Sequence, residues 1–196
     1  PVLQFADRLV NGSGLCTSLA ETDAVTSKVL LSQLIDEVLN DPTKYPLRDW
    51  DETSHRAQCT QGCYKCLLRY SNQPFHGILD WRLGLSYLRS IYDLSYSAGL
   101  DGDFSFVELK DWRNICDNGL SRLKETIAFD SVIINDGQVP MIEIDNNGKK
   151  IGLAVVHPLW SQASVNGIQA SEASRFDLGL VITDSFTLER RMWAVY

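Results

Sequence analysis

The chain has 196 residues, of which 44% are hydrophobic and 22% charged, as expected for a folded protein with one large or two small domains. Its formal net charge of -7 argues against a protein that coats nucleic acid by bulk electrostatics. No apolar run approaches the roughly 20 residues of a membrane helix, and no secretory signal is visible, so no membrane contact is expected. The chain begins without Met, and its first residues, PVLQFADRLVNGSG, start in the middle of a sequence pattern. We therefore expect it to belong to a longer protein.

The N-terminal half is predicted to be helical. Two glycines in GSGLCTSLAE precede a short helix, and Asp23 is expected to start a longer helix that ends at Asn40. The apolar face of this longer helix consists of Leu31, Leu34, Ile35 and Val38. A loop rich in proline, aspartate and threonine follows as far as Thr53, and Asp80 is predicted to cap a further helix. That helix carries on one face Trp81, Leu85, Leu88 and Tyr92.

After a small, polar, glycine-rich linker at residues 95–103, the pattern becomes that of an α/β layout. Ser105 and Glu108 form a capping-box pattern before a helix. The apolar face of this helix consists of Leu109, Trp112, Cys116, Leu120, Leu123 and Ile127. The strand-like runs SVIIND, VPMIEID and KKIGLAVVH follow, and an Asn-Asn-Gly sequence predicts a hairpin turn between the last two. A polar helical stretch and the strand LGLVITDSF complete the order helix, three strands, helix, strand.

Three of the five cysteines fall within eight residues, in the pattern Cys59-x3-Cys63-x2-Cys66. An odd number of unevenly placed cysteines does not fit a secreted disulfide framework, and it points to a reducing compartment, the cytoplasm by default. Zinc prefers four tetrahedral ligands and accepts both thiolate and imidazole. The cysteine pattern therefore predicts a zinc site with three visible ligands.

Two residues are candidates for the fourth ligand. Cys16 is favoured, because a helix start after GSG can deliver it and complete an all-cysteine site. His55 is the second candidate, since its position four residues before Cys59 is a permitted ligand spacing. Cys116 is expected to be a buried structural thiol on an apolar helical face.

A basic segment surrounds the cysteines in this acidic chain. Between His55 and Ser90 one carboxylate, Asp80, accompanies the five cations Arg56, Lys65, Arg69, Arg82 and Arg89. We expect Arg69, Arg82 and Arg89 to contact nucleic acid or an acidic partner, although solvated charge is the usual alternative. Tyr70 is a candidate for stacking on a base. Asn72 and His76 are expected at least equally to fix the zinc loop by hydrogen bonds.

Three carboxylates raise the alternative of a Mg²⁺-dependent nuclease. Asp136, Glu143 and Asp145 lie on or beside predicted strands, where such enzymes hold their metal with an acidic residue and Glu-x-Lys. The lysine is missing after Glu143, and His157 has no partner recognisable in the sequence. We therefore interpret the carboxylates as solvating a hairpin and assign no catalytic residue.

Several motifs occur in a fixed order: GSGLC, Cys-x3-Cys-Tyr-x-Cys-Leu, Tyr-Ser-Asn-Gln and His-Gly-Ile-Leu-Asp-Trp-Arg-Leu. They resemble the cysteine-rich, MrfA-type zinc-binding domain at the C-terminal end of superfamily-2 DEAD/DEAH-box helicases of bacterial DNA repair and anti-phage defence. The resemblance implies that Cys59, Cys63 and Cys66 bind zinc, and Cys16 matches a cysteine found in one branch. It also implies DNA and either the helicase motor or a partner subunit as partners. The Gly-x4-Gly-Lys-Ser/Thr motif of such a motor is absent here, so the chain is not expected to unwind DNA itself.

These observations predict an α+β protein with a helical zinc-binding domain at residues 1–95 and a small α/β domain at residues 104–196. The order of elements in the second domain is similar to a restriction-endonuclease-like fold, in a catalytically degenerate form. The leading hypothesis is a structural, zinc-braced accessory region of a DNA helicase or translocase. The alternatives are a Mg²⁺-dependent nuclease domain and a protein-interaction scaffold without DNA contact.

Overall fold

The computed structural model describes residue 6 and residues 12–195, which form two compact units. One unit comprises Pro1–Cys59 and Tyr87–Tyr96, and the other comprises Thr60–Ser86 and Ser97–Tyr196. Both units are therefore discontinuous in sequence, whereas the two predicted domains, residues 1–95 and 104–196, are contiguous. The mixture of helices with one four-stranded sheet confirms the predicted α+β class.

The helices between residues 12 and 60 are short. They are α1 Leu15–Ala20, α2 Leu30–Asn40, α3 Leu47–Trp50 and α4 Thr53–Gln58. The predicted start of the second helix at Asp23 is wrong, because the Asp23 carboxylate instead caps a turn: Oδ1 accepts bonds from the backbone N–H of Val25 and of Thr26. Ser27 then adopts a positive φ of 56°, and the helix begins only at Leu30. Its end at Asn40 agrees with the prediction.

Helix α5, Trp81–Tyr92, follows a 3₁₀ helix at Tyr70–Phe75. Asp80 caps α5 as predicted, since its Oδ1 accepts a hydrogen bond of 3.0 Å from the Leu83 N–H. Trp81 and Leu85 of this helix are almost fully buried, with 1% and 2% of their surfaces exposed. The first half of the predicted apolar face is therefore buried, whereas Leu88 is half-buried and Tyr92 is 43% exposed.

The second unit also contains α6 Trp112–Thr126, β1 Ser131–Ile134, β2 Met141–Asn146, β3 Lys149–Val156, α7 Gln162–Glu172, β4 Leu180–Asp184 and α8 Ser185–Arg190, with short 3₁₀ helices at Ala173–Arg175 and Met192–Ala194. The sheet has the order β1-β2-β3-β4, in which the first two pairings are antiparallel and β3 pairs parallel with β4. A two-residue turn joins β2 to β3. Its residues Asn147 and Gly148 have φ of 57° and 82°, as the Asn-Gly sequence predicts.

The start of α6 differs from the expected capping box. Glu108 is 2% exposed and lies in a turn, and the helix begins at Trp112 with Asp111 as its N-cap. Burial of the Glu108 side chain has thus overridden a local pattern that is common at exposed helix starts. The predicted apolar face of α6 is confirmed, because Trp112, Cys116 and two leucines of this helix are buried.

The core of the second unit lies between α6, α8 and the central strands. Fully buried side chains there include Leu120, Leu123, Met141, Ile142, Val155 and Leu188. Gly152 in β3 lies against the ring of Phe176, so a Cβ at this position would overlap the ring unless the ring moved. No helix within the described residues has both the length and the apolar character that crossing a bilayer requires.

Candidate metal centre

Four side chains with metal-ligating atoms lie together near the middle of the chain. His55, Cys59, Cys63 and Cys66 each offer one ligand atom, and these atoms all lie within 4.8 Å of one another. We call these four residues the ligand cluster. In tetrahedral zinc sites, bond lengths near 2.3 Å for sulfur and 2.0–2.1 Å for nitrogen place ligand atoms about 3.6–3.8 Å apart. The ligand cluster is therefore close to the dimensions of a zinc site.

Helix α4 brings the first two ligands together. His55 and Cys59 are four residues apart, one helical turn, and the Cys59 N–H donates a bond of 2.8 Å to the His55 carbonyl. Residues with this spacing lie on the same side of a helix. Their side chains are also withdrawn from solvent, with 8% of His55 and 4% of Cys59 exposed. The local backbone thus presents an imidazole and a thiol side by side.

A tight turn brings the other two ligands together. The Cys66 N–H and the Leu68 N–H both donate to the Cys63 carbonyl, each at 3.0 Å. The two Sγ atoms are 3.7 Å apart, which matches the edge of a tetrahedral zinc–thiolate site at about 3.8 Å. The Cys63 N–H also points at Cys66 Sγ, at 3.1 Å, and so stabilises negative charge on that sulfur.

The histidine of the ligand cluster is oriented by the backbone of α3. Nδ1 of His55 lies 3.3 Å from the carbonyl oxygen of Trp50. Because a carbonyl only accepts, this contact favours the tautomer with a proton on Nδ1 and a lone pair on Nε2. Metal-binding histidines characteristically donate their second ring N–H to a carboxylate or carbonyl in this way. His55 is therefore prepared to bind a metal through Nε2.

The remaining cysteines are placed differently. Cys16, the favoured fourth ligand in the sequence analysis, lies in α1 with intermediate exposure and is not among the four residues whose ligand atoms come together. The second candidate, His55, is the one found beside the three cysteines. Cys116 is 1% exposed on α6, and burial raises the pKa of its thiol well above the ordinary value. All five cysteines lie in the described part of the chain, and none of them forms a disulfide.

The segment after Cys66 is fixed by hydrogen bonds of Asn72 and His76, as predicted from the sequence. The Asn72 side chain donates to the Leu67 carbonyl at 2.9 Å and accepts from the Arg69 N–H at 2.8 Å. Nε2 of His76 lies 2.9 Å from Asn72 Oδ1 and 3.0 Å from the Arg69 carbonyl. These contacts hold together the backbone of residues 67–76, which directly follows Cys66, the last residue of the ligand cluster.

Arg82 and Arg89, two of the residues expected to contact nucleic acid or an acidic partner, lie inside the protein. Both are only 6% exposed. Arg82 donates to the Thr60 carbonyl at 2.8 Å and forms an ion pair of 3.1 Å with Asp111. Arg89 donates to the Leu39 carbonyl at 2.9 Å. A guanidinium supplies five donors to such buried acceptors, so these arginines stabilise the fold from within.

Arg69 is exposed, as expected for a residue that contacts a partner. Its Nη1 donates to the Tyr64 and Leu68 carbonyls at 3.1 Å and 2.8 Å, so the side chain is held against the loop. Arg56 forms an ion pair of 3.6 Å with Asp51. Of the five cations in the basic segment, Lys65 and Arg69 are therefore the two that are exposed.

The carboxylates considered for a nuclease have other contacts. Glu143 pairs with Lys150 at 2.9 Å, and Asp136 pairs with Arg175 at 3.1 Å. Asp145 accepts a bond of 2.7 Å from the Gly148 N–H in the hairpin turn. Within the described residues, the ligand cluster is the one set of three or more such side chains with ligand atoms close enough to share an ion. These contacts agree with a role in the hairpin.

His157 lies at the end of β3 and is 6% exposed beside Trp112 and Trp160. Burial lowers the pKa of His157 from 6.5 to about 4, against a smaller opposing effect of Asp184. Between these pH values His157 binds a proton in the unfolded chain but not in the folded chain. The contribution of His157 to the free energy of unfolding is therefore fully present above pH 6.5 and is lost as the pH falls towards 4.

We therefore expect His157→Gln to flatten the dependence of unfolding free energy on pH between 6.5 and 4, with a total difference from the parent of about 3 kcal/mol. Urea denaturation at a series of pH values measures this dependence. Comparing the two proteins cancels the acid-induced release of metal, which both share. Parallel curves for the two proteins would show that His157 titrates normally.

Comparisons with known proteins identify no match to this sequence among family models, curated proteins or solved structures. The likeness to helicase zinc-binding domains therefore depends on the order of motifs in the chain itself. The geometry of the ligand cluster is independent of that likeness.

Proposed function

We propose that this chain is a zinc-braced accessory module of a DNA helicase or translocase. The observation that carries the metal-binding part is the ligand cluster, whose four ligand atoms lie within 4.8 Å of one another. Three thiolates and an imidazole form a donor set that zinc accepts and that hard cations such as Mg²⁺ do not select. The donor chemistry and the geometry thus support the same ion.

The role proposed for zinc is structural. Four protein ligands complete a tetrahedron and leave no open position for water or substrate, which catalytic zinc sites retain. Three ligands are also at least nine-tenths buried: His55, Cys59 and Cys66. Zinc bound there would fix α4 and the turn after it, where regular secondary structure is sparse.

The helicase assignment is supported by the motif order between GSGLC and His-Gly-Ile-Leu-Asp-Trp-Arg-Leu. On this proposal the partners are DNA and either the motor domains or a partner subunit, in bacterial DNA repair or phage defence. The cytoplasm is the proposed location, because zinc thiolates persist where thiols stay reduced. A degenerate restriction-endonuclease-like fold is proposed for residues 104–196 from their order α6, β1, β2, β3, α7, β4.

The fourth ligand provides the direct test of the metal site. Purified protein should contain about one zinc per chain by elemental analysis, because four ligands bind a single ion. His55→Ala should lose most of this zinc or lower its affinity at least about tenfold, since one of four bonds is removed. Cys16→Ala should retain the parent zinc content and affinity.

The same two variants can also contradict the assignment. Zinc lost from Cys16→Ala and kept by His55→Ala would restore the all-cysteine site that the sequence favoured. Cobalt substitution adds a spectroscopic control, because the energy and intensity of the thiolate and ligand-field bands differ between a site with three sulfurs and one with four. Freshly prepared protein without zinc or another thiolate-binding metal would refute the proposal.

A further inference from the structure

Aromatic side chains are unusually exposed in the segment that contains the last two metal ligands. Tyr70 is 90% exposed, Tyr64 is 71% exposed and Phe75 is 56% exposed. The neighbouring cations Lys65 and Arg69 are exposed as well. We call these five residues the aromatic surface. Phenylalanine is usually buried and tyrosine is intermediate in burial, so three exposed rings within twelve residues favour a binding function.

The aromatic surface rests on an ordered backbone. The Tyr64 ring packs edge-on against the His76 ring, with centroids 5.8 Å apart. His76 in turn contacts the Arg69 carbonyl, and Arg69 Nη1 donates back to the Tyr64 carbonyl. Tyr70 directly follows Arg69, and Phe75 directly precedes His76. The backbone that carries the three rings is therefore ordered and the Tyr64 ring is held against His76, which reduces the entropy lost on binding.

The charge around the aromatic surface favours an anionic ligand. No aspartate or glutamate occurs between Glu52 and Asp80, although the chain as a whole has a net charge of -7. Zinc held by three thiolates and a neutral imidazole leaves one negative charge, three minus two. The two positive charges of Lys65 and Arg69 exceed this single negative charge. The aromatic surface is thus an apolar and mildly cationic patch in an acidic protein.

We propose that the aromatic surface binds single-stranded DNA by stacking its rings on unpaired bases while Lys65 and Arg69 contact phosphates. Proteins that bind single strands combine these two features, and stacking tolerates any sequence because every base has a π face. A duplex hides the base faces, so the rings distinguish the two forms of DNA. This inference rests on the proposed helicase function and specifies which strand its accessory module engages.

Fluorescence anisotropy with labelled oligothymidylate and the zinc-loaded chain tests the inference. Tyr64→Ala and Tyr70→Ala should each weaken binding about 5- to 150-fold, the range observed for loss of one base–aromatic stack. Tyr70→Phe should bind nearly as well as the parent, because it keeps the ring. Lys65→Gln should reduce the slope of log affinity against log salt by about 0.7, as expected for one phosphate contact on a single strand.

Trp193→Ala is a matched control, because Trp193 is a large aromatic residue that is 72% exposed and lies outside the aromatic surface. This variant should leave affinity unchanged. Equal affinity for single strands and duplex, or no loss in either tyrosine variant, would overturn the inference. So would binding of a protein partner, but not of DNA, through the same tyrosines.

Zinc content measured on the same samples separates the two proposals. Variants that retain zinc and fail to bind DNA support the aromatic surface as the binding site. A parent protein that contains zinc and binds no single strand refutes the inference while the structural metal site stands. A parent protein without zinc refutes the metal site directly, whatever its affinity for DNA.

Discussion

Replacing Cys63 with serine should release zinc and lower the free energy of unfolding by on the order of 5 kcal/mol or more. In small zinc domains the free energy of metal binding is largely free energy of folding, about 10–16 kcal/mol in zinc-finger peptides. Cys63 is one of the four residues in the ligand cluster, and its carbonyl also closes the turn around Cys66. A hydroxyl at this position is a poor zinc ligand near neutral pH.

The loss should extend beyond the turn itself, because both ends of the segment from Thr60 to Asp80 are bonded to other parts of the second unit. Gln61 bonds the Glu189 side chain at 3.3 Å, and the Trp81 N–H donates to the Gln61 carbonyl at 2.9 Å. Arg190 donates to the Leu79 carbonyl at 2.9 Å. Loosening of the metal turn therefore removes support from contacts made by α8.

Thermal denaturation with and without a zinc chelator measures the effect. The chelator should destabilise the parent protein strongly and Cys63→Ser little, since the variant has no zinc to lose. Cys16→Ser is the matched control, because it removes a thiol that lies outside the ligand cluster, and it should melt like the parent. If Cys63→Ser melts like the parent and retains its zinc, Cys63 is not a ligand.

Replacing Arg82 with methionine should lower the free energy of unfolding by about 3 kcal/mol, and the melting temperature by roughly 6–12 °C for a chain of this size. The guanidinium is buried, pairs with Asp111, donates to the Thr60 carbonyl and lies 4.3 Å from the centre of the Trp81 ring. Methionine fills a similar volume but leaves Asp111 without this partner and the carbonyl without this donor.

A double variant separates the contributions of charge and packing. Adding Asp111→Asn to Arg82→Met removes the carboxylate charge that had paired with Arg82, so it should recover part of the stability. Lys65→Met serves as the surface control, and we expect a change within about 0.5 kcal/mol. A stable Arg82→Met protein with weakened DNA binding would instead support the surface role that the sequence suggested.

Features that depend on neighbouring residues could be predicted from the amino-acid sequence. The spacing Cys59-x3-Cys63-x2-Cys66 identified three members of the ligand cluster, because a short turn necessarily brings close cysteines together. Asn147-Gly148 predicted a hairpin, since these residues accept the positive φ that a two-residue turn requires. Apolar periodicity likewise identified the buried face of α6.

Features that depend on distant partners are visible only in the folded chain. The fourth member of the ligand cluster is His55, brought there by a short helix, Thr53–Gln58, whose sequence TSHRAQ has no apolar periodicity to predict it. Whether an arginine faces solvent or a buried carbonyl is also invisible locally: Arg82 finds Asp111 and Arg89 finds the Leu39 carbonyl, 29 and 50 residues away. Charge along a sequence records where cations occur, whereas burial and hydrogen-bonding partners decide what they do, and tertiary packing alone supplies those partners.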